Sequence, residues 1–81
     1  MLSKTTSMGI RILIYLGVHP DEGPFSPSRL GKELGESPSY LSKVAGLLTR
    51  AGIVRSHRGA SGGIELNVAP ERIRLLDVVQ A

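Results

Sequence analysis

Eighty-one residues with a net charge of +3, no cysteine, no tryptophan and three aromatic residues in all make one small domain, with no room for a separate substrate domain. The lack of cysteine removes disulfides, zinc-thiolate sites, iron-sulfur ligation and thiol catalysis from this chain. The longest apolar stretch, Ile12 to Val18, is far short of the roughly 20 residues that span a bilayer, and His19-Pro20-Asp21-Glu22 after it is a poor signal-peptide cleavage site, so a cytoplasmic protein is expected.

The first element is the nearly continuous apolar run Met8, Ile10, Ile12, Leu13, Ile14, Leu16 and Val18, too long for an ordinary strand. It predicts a helix over residues 4 to 18, buried on most sides. His19-Pro20-Asp21-Glu22-Gly23-Pro24 then stops it in a surface turn. Ser26-Pro27-Ser28-Arg29 has the form of a helix start, a serine N-cap followed by proline at the first helical position, where its missing N–H costs nothing. With Leu30 and Leu34 on one face and Gly35 at the end, the second helix runs over about 27 to 34.

Ser37-Pro38-Ser39-Tyr40 repeats the start signal after a gap of only Gly35-Glu36-Ser37. A short turn containing glycine between two short helices is the connection of a helix-turn-helix. In the third helix, about 38 to 51, Leu41, Val44, Ala45, Leu48 and Ala51 share one face. Ser39, Ser42, Lys43, Gly46 and Arg50 fall on the other, a small, polar and basic surface with no acidic residue. Gly52 closes this helix. Ile53 to Arg58 reads as a strand, Gly59-Ala60-Ser61-Gly62-Gly63 as a turn, and Ile64 to Val68 as a second strand with Ile64, Leu66 and Val68 on one side, together a hairpin. Ala69-Pro70 breaks it, and Leu75 to Ala81 begins a further apolar helix.

The predicted fold is therefore mainly α with a small β-hairpin, a winged helix-turn-helix, in one domain over 1–81. Such a fold inserts its second motif helix into the major groove of double-stranded DNA, which is about 12 Å wide and admits one helix. The charge distribution agrees: between Arg29 and Arg58 there are six basic residues (Arg29, Lys32, Lys43, Arg50, Arg55, Arg58) and two acidic ones (Glu33, Glu36). Ser39, Ser42 and Lys43 are candidates for base edges or phosphates, and Arg50, at the far end, for backbone. Arg58, just before Gly59, stands where an arginine can enter a minor groove from a wing spanning about 58 to 63. The alternative is a winged-helix protein-interaction module, with Leu47 and the last helix as its contact. An enzyme is not expected: His19 and His57 have no clustered carboxylates around them, and the glycine-rich turn lacks the Lys-Ser/Thr of a phosphate loop.

The motifs Met1-Leu2-Ser3-Lys4-Thr5-Thr6, Ser37-Pro38-Ser39-Tyr40-Leu41-Ser42-Lys43, Ala51-Gly52-Ile53-Val54, Arg58-Gly59-x-x-Gly62-Gly63 and Leu75-Leu76-Asp77-Val78-Val79 together resemble the Rrf2 family of bacterial transcription regulators, over nearly the whole chain. That family includes the iron-sulfur cluster regulator, the nitrite-sensitive repressor and the cysteine-metabolism repressor. The resemblance implies a DNA-binding repressor type, Ser39, Tyr40, Ser42 and Lys43 at recognition-helix positions, and Arg58 at the wing arginine. Tyr40 lies on the helix flank, where a phosphate contact through its hydroxyl is expected, the alternative being half-buried packing. The resemblance further implies a homodimer built by a long helix beyond residue 81, and, in cluster-sensing members, three cysteines there. The chain is thus expected to be truncated at the start of the dimerisation helix and to bind no cofactor itself.

Overall fold

The computed structural model describes residues 3–59 and 62–69. Three helices, α1 (Lys4–Val18), α2 (Pro27–Leu34) and α3 (Pro38–Arg50), precede two strands, β1 (Val54–His57) and β2 (Gly63–Leu66). The order is the expected one, mainly α with a small hairpin. The strands pair antiparallel in the register Val54 to Leu66, Arg55 to Glu65, Ser56 to Ile64 and His57 to Gly63. The further helix expected from Leu75 lies outside the described residues, as do Ala60 and Ser61 of the expected wing turn.

Each helix begins on a serine whose side chain accepts a backbone N–H of the first turn: Ser3 from Thr6, Ser26 from Arg29 and Ser37 from Tyr40. Both Ser-Pro signals therefore act as read, satisfying donors that a helix start leaves without intrahelical partners. At the other end of α3, the N–H of Ile53 donates to the Leu48 carbonyl at 3.1 Å and that of Gly52 to Thr49 at 3.0 Å, with Gly52 at φ 78°. This is a Schellman closure, and its accompanying apolar contact is made by Ile53 and Leu48, both buried. It explains why the first strand starts at Val54 and not at the expected Ile53, whose N–H is already committed to the helix end. Ala51, expected on the buried face of α3, caps the helix and is exposed.

The core gathers Met8, Ile12, Leu13 and Leu16 of α1, Leu30 of α2, Leu41, Val44, Ala45 and Leu48 of α3, and Phe25, Ile53, Val54 and Ile64 from the connections and strands. The expectation that α1 is buried on most sides is corrected: Ile14 is 60% and Val18 67% exposed. They lie on the face of α1 turned away from Met8, Ile12 and Leu16, which meet the core. Leu34, at the end of α2, is tied to α1 by Arg11, whose guanidinium donates to the Leu34 carbonyl at 3.0 Å and so meets the negative end of the α2 dipole.

Two backbone contacts fix the arrangement. In the turn between α2 and α3, Glu36 donates its N–H to the Gly31 carbonyl at 2.9 Å. The Glu36 carbonyl lies so close over Gly31 that any side chain there would collide with it. The second contact was not apparent from the strand patterns. Phe25, in the connection before α2 and just after the cis Gly23-Pro24 bond, forms an isolated bridge with Ile64, with paired hydrogen bonds of 2.9 and 2.8 Å. β2 is thus held on both sides, and Gly63 is the residue whose lack of a side chain lets the Phe25 backbone approach. The second strand ends at Leu66 and not at the expected Val68, which is exposed. Asn67 closes the hairpin by donating its backbone N–H to Ile53 at 2.9 Å and its side-chain amide to Gly52 at 3.1 Å.

Because the obstacle at Gly31 is backbone, not a side chain able to swing aside, Gly31→Ala is expected to destabilise the fold by about 1–3 kcal/mol, the usual cost of forced overpacking. Urea denaturation of both proteins measures it, and an unchanged midpoint would contradict the contact.

Candidate nucleic-acid interface

The buried side chains of α3, Leu41, Val44, Ala45 and Leu48, turn its opposite face outward. Ser39, Ser42, Lys43 and Arg50 are all exposed there, and Gly46 is half-buried between them. Among the described residues, neither Lys43 nor Arg50 forms an ion pair, so their charges face solvent. Arg50, expected at the far end of the helix, does not extend beyond that end. A guanidinium nitrogen would lie 3.7 Å from a Cβ at Gly46, so the side chain runs back along the helix by one turn. Leu47, a candidate protein contact, is only half-exposed.

Between α3 and the hairpin lies an open cleft of about 520 Å³, to which Ser42, Gly46 and Arg50 contribute from the helix and Ser56, His57 and Gly59 from the hairpin. The structure thus brings Ser42, Arg50 and Gly59, far apart in sequence, to one concavity. Arg58 is exposed at the end of β1, beside it. Ser56 and Thr49 also reach the cleft and were not among the residues read from sequence. Thr49 has its hydroxyl committed to the Ala45 carbonyl at 2.8 Å, which leaves Ser56 as the informative addition. Strand alternation alone would have put Ser56 on the same side as Val54 and Ile64, facing the helices.

Tyr40 is placed differently from the expected phosphate contact. Its ring packs against the core, and its hydroxyl is buried with no hydrogen-bond partner among the described residues. The half-buried alternative describes it. Tyr40 is held at the third position of α3, its N–H on the Ser37 hydroxyl at 3.2 Å, and from there the phenol end is directed inward.

The outer face of the hairpin carries its own charge arrangement. Arg55 and Glu65 are directly opposed across the strands. Arg55 donates from Nε to Glu65 Oε1 at 2.7 Å, and the His57 Nε2–H donates to the same oxygen at 3.0 Å. The His57 hydrogen bond first, and the Arg55 one next, hold the Glu65 carboxyl below its ordinary range. Glu22 is likewise lowered, chiefly by its 2.7 Å hydrogen bond from His19 and secondarily by Arg29. These carboxylates therefore occupy Arg29 and Arg55. Lys43 and Arg50 on the helix and Arg58 on the hairpin make no such pair among the described residues.

A family model described as Rrf2, iron-dependent transcriptional regulator, matches residues 2–81. The chain belongs to the Rrf2 family. The HTH-type transcriptional regulator slr0846 of Synechocystis sp. is 34% identical over 80 residues, which are 99% of this chain and 54% of that protein. Among solved structures, CymR, the global cysteine regulator of B. subtilis, superimposes with a TM-score of 0.90 at 32% identity, over 99% of this chain and 62% of CymR. IscR of T. potens superimposes with a TM-score of 0.85 at 32% identity, over 99% of this chain and 58% of IscR. The fold is accordingly the winged helix of these regulators, and Rrf2 regulators are non-enzymatic. The chain spans a little over half the length of these relatives. The iron dependence in the family description finds no ligand set here: the sequence has no cysteine, and among the described residues no three His, Asp or Glu side chains converge on a metal position.

Two measurements test this description. Nothing but the Arg50 tip meets a Cβ built on Gly46, so Gly46→Ala is expected to stabilise the chain by about 1 kcal/mol through helix propensity, seen as a higher urea midpoint. Because the Glu65 pKa is lowered on folding from 4.5, its ion pairs stabilise above that unfolded value, and the stabilisation is lost as pH falls through the folded one. The stability difference between the parent and Glu65→Gln should then shrink as pH falls below 4.5. A difference that does not shrink at all as the solution is acidified below 4.5 would contradict the pairing.

Proposed function

We propose that this chain is the reading head of a bacterial transcription regulator, binding double-stranded DNA sequence-specifically as a single winged-helix domain, with α3 in the major groove and the turn after β1 at the minor groove. The observation that carries the proposal is the outward face of α3, where Ser39, Ser42, Lys43 and Arg50 are exposed with no acidic residue among them, beside a cleft shared with the hairpin. A helix offered to the major groove must present side chains able to bond base edges or phosphates, and no carboxylate toward a polyanion. Ser39 and Ser42 are assigned to bases or phosphates and Lys43 to guanine or phosphate. Arg50, folded back over Gly46, is aimed at the strand that runs past the cleft. Arg58, with Gly59 giving the turn, is assigned to the minor groove. Tyr40 serves as packing at the base of this helix.

The names of the relatives, all regulators, support regulation as the context. The whole protein is read as a homodimer on two half-sites, acting in the cytoplasm, as the family resemblance implies. No described helix is long and apolar enough to cross a membrane. A protein-interaction module without DNA is the weaker reading. It would be favoured by Ile14 and Val18, which are exposed on α1, and such a contact is compatible with a reading helix that stays free.

The test is anisotropy titration against a duplex selected from a random pool and against a random-sequence duplex, over a range of salt. Each phosphate contact contributes about −0.9 to the salt slope on duplex DNA. Lys43→Ala and Arg58→Ala are expected to weaken binding and make that slope shallower, while Ser42→Ala reduces preference for the selected duplex. Equal affinity for both duplexes at matched salt would overturn specific reading, and a slope unmoved by Lys43→Ala and Arg58→Ala would overturn DNA binding through this face.

A further inference from the structure

We propose that Lys4, at the first turn of α1, is a further DNA-backbone contact, held beside the recognition helix by the ring of Tyr40. This rests on the DNA-binding reading above. It deepens that reading by adding a residue from outside the helix-turn-helix and by giving Tyr40 a definite role.

The exposed Lys4 ammonium lies 5.0 Å from the centroid of the Tyr40 ring, within the range of a cation-π contact. Tyr40 is well suited to be a fixed platform. Its backbone N–H is bound to the Ser37 cap, its ring packs on the core, and its hydroxyl is buried. Lys4 is fixed from its own side, because Ser3 caps α1 by accepting the Thr6 N–H at 3.0 Å. The first turns of α1 and α3 therefore lie side by side. The ammonium stands at the flank of the segment that carries Ser39, Ser42 and Lys43.

The electrostatics at this point are unfavourable for the free chain. A lysine in the first turn of a helix opposes the positive end of the helix dipole. Neither first turn contains an acidic residue, and among the described residues no carboxylate lies within ion-pair distance of Lys4. Among the described residues, only the ring face of Tyr40 offsets the charge. A phosphate of the duplex lying against α3 would supply the missing anion, without requiring Lys4 to leave the ring, since an ammonium has three donors and the ring occupies one side of it. A lysine offers a point charge to the backbone and carries no base information. The contact thus adds affinity equally on all sequences.

The experiment measures the salt slope of this chain on a random-sequence duplex, with the selected duplex in parallel. Lys4→Ala and Lys4→Gln are expected to make the slope shallower by about 0.9 and to weaken binding by the same factor on both duplexes. Tyr40→Phe, which keeps the ring and removes only the buried hydroxyl, is expected to bind with the parent slope. Tyr40→Leu should lose what Lys4→Ala loses, and the Lys4→Ala/Tyr40→Leu double variant no more than either, circular dichroism showing the helices intact. An unchanged slope for Lys4→Ala, with a shallower one for Lys43→Ala, would overturn the contact and leave DNA binding standing. If Lys4→Ala, Lys43→Ala and Arg58→Ala all keep the parent slope, both readings fall. A Tyr40→Phe slope as shallow as that of Lys4→Ala would move the contact to the hydroxyl and overturn the role given to the ring.

Discussion

Phe25 ties the hairpin to the helices through backbone and ring together. Its N–H and C=O exchange hydrogen bonds with Ile64, and its side chain is 1% exposed at the centre of the core. Tyr15 meets the ring edge-on at 5.2 Å and the Arg29 guanidinium covers it at 4.4 Å. A two-stranded hairpin alone is marginally stable in water. Here it acquires a third partner from the connection before α2, and so Arg58 and Gly59 are set against α3 at a defined place. Without that bridge the cleft between helix and hairpin would have one floating wall.

What could be read from the sequence followed from how local its causes were. Both Ser-Pro starts, the glycines that end α2 and α3, and the helical period of Leu41, Val44 and Leu48 act within a few residues, and those boundaries agree with the structure to within one residue. The strand limits were read less well, because Ile53 is drawn into the closure of α3 and Val68 falls beyond the pairing, and neither effect shows in alternation. The Phe25 bridge joins positions 39 residues apart and has no sequence signature beyond one aromatic residue after a proline. Likewise Ile14 and Val18 match the buried residues of α1 in character, and only the number of packing neighbours distinguishes them.

The candidate interface divides in the same way. Ser39, Ser42, Lys43 and Arg50 were legible as one face because a helix obeys a simple angle rule. The direction of the Arg50 side chain was not, since it depends on the vacancy at Gly46 one turn earlier. Tyr40 shows the limit of such an angle rule: a flank position permits both a hydroxyl reaching outward and a ring turned in, and the choice is made by core packing. The ionic arrangement was visible only as a balance of charges. Placed in three dimensions, the carboxylates of Glu22 and Glu65 each take up a specific arginine, while Lys43, Arg50 and Arg58 make no such pair among the described residues.

The backbone contact between Glu36 and Gly31 has a consequence for how such a module can change over time. The angle at which α3 leaves α2 is set by main-chain atoms and by the absence of a side chain at Gly31, and it owes nothing to the identities of Ser39, Ser42, Lys43 or Arg50. Aim and content are thus separable. On the proposed DNA-binding reading, substitutions on the outward face would alter which sequence is preferred without tilting the helix that carries them, so descendants of one scaffold would be free to diverge in their targets while keeping the same pose.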